Sequence, residues 1–233
     1  MSERPGKSDQ SQRAFFGRRK GHPLKPRQAA LVDTLLPKLA LDLAKPAPAD
    51  LRTLFADAAD VRLEIGFGGG EHLVDQAKVH PRSGFIGTDG FINGVAKALA
   101  AVDTHKLANV RLHHGDASDL IDWLPDASLT RVDLLYPDPW PKRRHWKRRF
   151  VQDESLKRLA RILKPGGELR FATDIADYAV YALARVLRSN DFAWTAEAAS
   201  DWQEAWAGFP GTRYEAKAKR EGRAPGYFIF RRK

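Results

Sequence analysis

"LEIGFGGGEHLV", residues 63–74, runs from an apolar strand-like stretch through a glycine-rich turn into a helix-like segment, and its reading decides the fold. Gly66, Gly68 and Gly70 admit positive φ and let a ligand come close to the backbone. The spacing is Gly-x-Gly-x-Gly, whereas a dinucleotide fingerprint would place its third glycine at position 71, where Glu71 stands. Glu64, just before the turn, would repel a pyrophosphate. An acidic glycine turn suits a nucleoside that has no phosphate and carries a positive centre, which describes S-adenosylmethionine. Taken alone, the stretch is a weak signal, since a tight strand-to-helix turn that holds no ligand is the alternative reading.

Outward from this turn, apolar or β-branched runs at 61–65, 84–88, 109–113, 131–136, 168–172, 192–197 and 227–231 read as strands. Helix-like segments at 71–79, 92–102, 118–124, 150–163 and 175–188 separate the first six. Strand and helix in regular alternation predict an α/β fold, a mostly parallel sheet with helices on both faces. The seventh strand follows a stretch rich in Trp, Gly and Lys with no regular crossover helix, so it is expected to lie antiparallel. Residues 28–43 read as a further helix, 41–51 as a linker, and 1–27 as a basic, flexible tail ahead of a single domain, 28–233.

In open α/β sheets ligands sit beyond the carboxyl ends of the strands, and an acid stands at each of the first three. After Glu64 comes Asp89, in "FIGTDG", positioned to accept both ribose hydroxyls. Asp116, in "HHGDAS", can receive an adenine amino group or can simply cap a helix. His113 and His114 read as strand-end or surface histidines. Strand four ends in "YPDPWPKRRHWKRRF", residues 136–150, where Pro137 and Pro139 stiffen the backbone on either side of Asp138 and six Lys or Arg follow.

The chain has 233 residues and a net charge of +10, concentrated in three stretches. Residues 1–30 carry eight Lys or Arg against two acids, 140–149 six against none, and 211–233 eight against two, leaving the remainder net acidic. Three basic stretches around an acidic body point to a polyanion-binding face. With no cysteine, disulfides, iron–sulfur clusters and thiolate zinc sites are excluded, and no metal site is expected. No signal peptide and no run of about 18 apolar residues is seen, so the expected location is cytoplasmic and not membrane-bound.

"LEIGFGGG", "YPDPWPKRRHWKRR", "FATDIADYA" and "GTRYEAKAKREG", in this order, resemble the landmarks of the bacterial tRNA (guanine-N7)-methyltransferases from about residue 15 to the end. The resemblance implies a Rossmann-like class I methyltransferase, three αβα layers around a mostly parallel seven-stranded sheet with an antiparallel last strand. It implies methyl transfer from S-adenosylmethionine to N7 of a guanine in the tRNA variable loop, with S-adenosylhomocysteine as product and tRNA as partner, and leaves monomer or homodimer open. By the resemblance, Glu64, Gly66, Gly68, Asp89 and Asp116 bind the cofactor, and Asp138 is catalytic. Lys142, Arg144, Lys147, Arg148, Asp174, Thr212, Arg213, Tyr214 and Glu215 bind substrate by the same resemblance, and residues 144–149 fall on a segment that touches RNA. Two positions depart from the family pattern: Asp89 stands where glutamate is common, and Tyr136 where phenylalanine precedes "PDPW". Thr212 with Glu215 is also a capping box, and Asp174 follows Thr173 at a helix start, so both can act on the backbone alone.

Overall fold

The computed structural model describes Gly17 and residues 19–233; most of the basic tail, 1–16 with Arg18, lies outside the described residues. The sheet holds seven strands: β1 Asp60–Ile65, β2 Ser83–Thr88, β3 Val110–His113, β4 Leu129–Leu135, β5 Leu163–Thr173, β6 Phe192–Trp194 and β7 Gly226–Arg232. Their order is β3-β2-β1-β4-β5-β7-β6. β1 to β5 run parallel, and β7 inserts antiparallel between β5 and β6. The expected antiparallel last strand is thus present, and it lies inside the sheet, not at its rim.

The helices are α1 Pro26–Thr34, α2 Leu36–Leu39, α3 Glu71–Val79, α4 Ile92–His105, α5 Ala117–Trp123, α6 Asp153–Ile162, α7 Ala176–Arg188, α8 Ser200–Gln203 and α9 Arg213–Arg220. α3 coincides with the helix expected from its pattern. The single helix expected over 28–43 is instead two short ones, because Pro37 cannot supply an N–H to continue the first, and Leu41 pairs by its N–H with the Leu112 carbonyl. α9, in the stretch expected to lack a regular helix, starts where Thr212 caps it: its hydroxyl accepts from Glu215 N–H at 3.1 Å. The linker 41–51 leads into a 3-10 turn, Leu51–Leu54.

Alternate side chains divide the core between the two faces of the sheet, as the two-residue period of a strand requires. On β2, Ile86 joins a cluster with Leu63, Leu134, Leu159, Phe171 and Tyr178, under α5 to α7. Its neighbour Phe85 joins Leu73, Val95, Leu99 and Leu112, under α3 and α4. Register aligns the carboxyl ends: Ile65 stands beside Thr88, and Thr88 beside His113. The order reverses at β1, between β2 and β4, and there the turns after β1 and β4 flank one crevice.

Candidate functional site

The turn after β1 is built on left-handed backbone at Gly66, Gly68 and Gly70, with φ of 71°, 58° and 78°. Gly66 N–H donates to the Thr88 carbonyl at 2.8 Å, tying the turn to the end of β2. Gly68 N–H donates to the Asp89 carboxylate at 2.7 Å, and Phe91 N–H donates to its other oxygen at 2.7 Å. Asp89 therefore bridges the glycine turn and the start of α4. Burial raises its pKa above the usual carboxylate value, and the two N–H donors offset this only in part. Asp116 caps α5, accepting from Ser118 N–H at 2.8 Å, so the capping alternative is realised.

Glu64 is buried, and its carboxylate lies 2.7 Å from Nδ1 of His72 on α3. Burial raises the Glu64 pKa despite the imidazole beside it. Burial opposes charge on His72, but Glu64 overrides it and holds the ring above its ordinary value. Beneath them, buried Arg131 pairs with Asp133 at 2.9 Å and donates to Gln76, whose amide donates to the Gly208 carbonyl. The sequence reading missed His72, Gln76, Arg131 and Asp133. Their signal was present as polar residues four apart on the inner face of α3 and two apart on a central strand.

No Cβ contact fills the space above Gly66: a side chain built there would meet nothing within 4 Å. That open side, together with the carboxylates Glu64, Asp89 and Asp116, fits a nucleoside that carries positive charge and no phosphate. Gly68 and Gly69 are instead covered by α9. A Cβ at Gly68 would stand 3.4 Å from the Tyr214 ring, and Arg213 pairs with Glu71 at 3.2 Å. A groove of about 410 Å³ opens beside this contact, lined by Glu71, Gly211, Thr212, Arg213, Glu215 and Lys219. Glu215 in this lining is already committed: it is buried and accepts from the Tyr227 hydroxyl at 2.6 Å. Lys219 pairs with the same carboxylate oxygen.

The turn after β4 holds Asp138. Both residues flanking its two prolines are left-handed without being glycine, Tyr136 at φ 50° and Trp140 at φ 44°. Asp138 is exposed as a residue, although the turn shields its carboxyl enough that desolvation raises its pKa. Among the described residues it has no hydrogen-bond or ion-pair partner. Asp174, by contrast, is paired with Arg223 at 2.6 Å, and the helix start beside it is served by the Thr173 hydroxyl, which accepts from Ile175 N–H.

The basic run forms a 3-10 turn, Arg143–Arg148, and sorts into two faces. Lys142, Arg144 and Lys147 are exposed, and Arg148 lies half-buried over the Trp140 ring, 5.0 Å from its centroid. Arg149 ends the run and departs from the expected RNA-touching segment 144–149, because its side chain is wholly enclosed. It is surrounded by Trp146, Tyr178 and Tyr181. Among the described residues no cluster of His, Cys, Asp or Glu could hold a metal ion, and no helix is long and apolar enough to cross a membrane.

A family model described as "Putative methyltransferase" matches residues 58–225. The chain is 59% identical over 222 residues to the tRNA (guanine-N(7)-)-methyltransferase of Rhodopseudomonas palustris strain BisB18, covering 95% of this chain and 88% of that one. It is 56% identical over 235 residues to the enzyme of the same name from Bradyrhizobium diazoefficiens, covering all of both chains. Among solved structures, it resembles the 16S rRNA methyltransferase KamB at a TM-score of 0.55, with 16% identity over 81% of this chain and 94% of that one. The aminoglycoside resistance methyltransferase NpmB1 gives a TM-score of 0.52, with 19% identity over 81% of this chain and 95% of that one. These likenesses identify the fold.

Proposed function

Because the chain belongs to the tRNA (guanine-N(7)-)-methyltransferase family and transfers a methyl group from S-adenosylmethionine to N7 of a tRNA guanine, we propose that the guanine lies in the variable loop and that Asp138 is the catalytic residue. The sulfonium supplies an electrophilic methyl group. Guanine N7 presents a free lone pair, so it attacks without first losing a proton and no general base is required. The N7–carbon bond forms as the carbon–sulfur bond breaks, and the positive charge passes from sulfur to the guanine ring.

A carboxylate fixed beside that ring stabilises the charge as it develops and accepts hydrogen bonds from the guanine N1 and N2 groups. Asp138 suits this because, among the described residues, it is a carboxylate on the substrate side with no partner, and that observation carries the proposal. Asp174 and Glu215 are already held by Arg223 and Tyr227, so either would have to exchange a partner to reach the base. Glu64, Gly66, Gly68, Asp89 and Asp116 line the nucleoside end. Arg213 and Tyr214 act as a cover across the glycine turn, with Thr212 fixing the helix that carries them. Lys142, Arg144, Lys147 and Arg148 bind the phosphates that deliver the guanine, in the cytoplasm where tRNA is processed.

Transfer of labelled methyl from S-adenosylmethionine to an unmodified tRNA transcript tests this reading against a transcript whose variable-loop guanine is adenine. Label in the first and none in the second is expected. Equal label in both would overturn the variable-loop assignment.

A further inference from the structure

Arg149 is a cation with no access to solvent, and a buried charge is retained only where pairing and hydrogen bonds compensate its desolvation. Its two side-chain polar partners lie on the Asp138 turn and on α7. Its Nε donates to the Pro139 carbonyl at 2.7 Å, and its Nη2 pairs with the Asp177 carboxylate. The guanidinium is packed 4.5, 4.9 and 4.6 Å from the ring centroids of Trp146, Tyr178 and Tyr181. Those rings pack on one another, with the Trp146 and Tyr178 centroids 5.4 and 6.2 Å from that of Tyr181, and the Tyr181 hydroxyl donates to Gln152 at 2.9 Å. A planar fork clamped among three aromatic side chains has little freedom.

The carbonyl it grips belongs to the residue after Asp138, within the turn bounded by left-handed Tyr136 and Trp140. Strained backbone of this kind persists only where the surroundings over-determine it. We propose that Arg149 is the positioning residue of the reaction: it fixes the Pro139 carbonyl, and with it the aim of the Asp138 carboxylate, and anchors that hold to α7 through Asp177. Although it sits in the most basic stretch of the chain, it takes no part in gripping phosphate. The proposal rests on the reading of Asp138 as catalytic.

Arg149→Lys keeps the charge and loses the fork. In single-turnover methyl transfer at saturating tRNA, it is expected to slow the chemical step by about 10²-fold, the effect of a small misplacement of a catalytic group. The KM for S-adenosylmethionine and the slope of log tRNA affinity against log salt are expected to stay at their wild-type values. Asp177→Asn leaves the guanidinium in place and frees its anchor, so it gives a smaller loss in the same direction and serves if Arg149→Lys does not fold. In the Asp138→Ala background either substitution should slow the reaction no further, since there is no longer a carboxylate to aim.

A salt slope lowered by about 0.7–0.9, the loss of one phosphate contact, would overturn the proposal. So would a fall in melting temperature with unchanged turnover per folded molecule, or a slowing that persists fully in Asp138→Ala. If Asp138→Ala by itself leaves turnover intact, it is the assignment of Asp138 that fails. If Asp138→Ala is slow and both clamp variants are normal, only the positioning role fails.

Discussion

The turns after β1 and β4 face one another across the same crevice, and both depend on left-handed backbone, but they obtain it from opposite residues. The first places glycine at each left-handed position, 66, 68 and 70, where positive φ carries no steric penalty. The second places Tyr136 and Trp140 there, each at a penalty of about 1–2 kcal/mol. The glycine turn directs its own N–H groups outward, to the Thr88 carbonyl and the Asp89 carboxylate. The proline turn is held from outside: Tyr136 N–H donates to the Ala172 carbonyl at 2.8 Å, and the Pro139 carbonyl accepts from Arg149. One turn is open enough to admit a ligand against its backbone; the other is rigid enough to aim a single carboxylate.

Removing that carboxylate breaks the comparison most severely. Asp138→Ala is expected to lower turnover by about 10²–10³-fold, the effect of deleting one preorganised charge-stabilising group, with tRNA affinity close to wild type in a filter-binding titration. Turnover of the wild type should also fall toward acid pH. Desolvation raises the Asp138 pKa, so as pH falls the carboxylate takes up a proton, and loses its charge, at a higher pH than an ordinary aspartate would. Asp138→Asn, having no group to titrate there, should lack that part of the acid limb; a profile identical to wild type would assign the titration to another group.

The glycine turn breaks differently, by crowding. A Cβ built at Gly94, on α4, would lie 2.2 Å from the Gly68 carbonyl oxygen, a backbone atom with little room to move. Overpacking of this kind is worth about 1–3 kcal/mol, so Gly94→Ala should weaken S-adenosylmethionine binding by about tenfold or more in calorimetric titration. Gly70→Ala combines positive φ with a clash of 2.7 Å against Ala98 and should chiefly lower the melting temperature. Gly66→Ala meets no protein atom within 4 Å, so about 1–2 kcal/mol of backbone strain is its whole effect on stability, and its methyl group should act mainly on cofactor affinity. If Gly66→Ala destabilised the fold as much as Gly70→Ala, the open side assigned to the nucleoside would be filled.

These contrasts also mark what the sequence could reveal. The sheet, the glycine turn and Asp138 are legible because hydrophobic period, glycine and proline act locally on the backbone. The left-handed strain at Tyr136 and Trp140 is not, since neither residue type announces positive φ. Glu64 was recognised as a site acid, but its pairing with His72 depends on how α3 folds back over β1. The placing of Asp174 is similar: Arg223, far along the chain, decides that it forms an ion pair and does not cap α7. In the basic run, composition made all six cations alike, and only the 3-10 turn separates an inner residue from outer ones. A spacing of three between Trp146 and Arg149 was the available hint of an inner face.

That separation yields the smallest effect and the sharpest contrast within one stretch of chain. Arg144 and Lys147 stand exposed on the outer face of the turn whose end encloses Arg149. Charge on the outer face acts by releasing counterions from the tRNA backbone, and each phosphate contact contributes about 0.7–0.9 to the salt slope. Arg144→Gln with Lys147→Gln should therefore lower the slope by about 1.4–1.8 and weaken binding severalfold at low salt, checked by titration at several salt concentrations. Turnover at saturating tRNA should not change, because neither side chain holds the Asp138 turn. An unchanged slope with slowed chemistry would reverse the two faces, making the outer cations part of the clamp. The pair thus tests whether a single basic run divides its work between holding the nucleic acid and aiming the carboxylate.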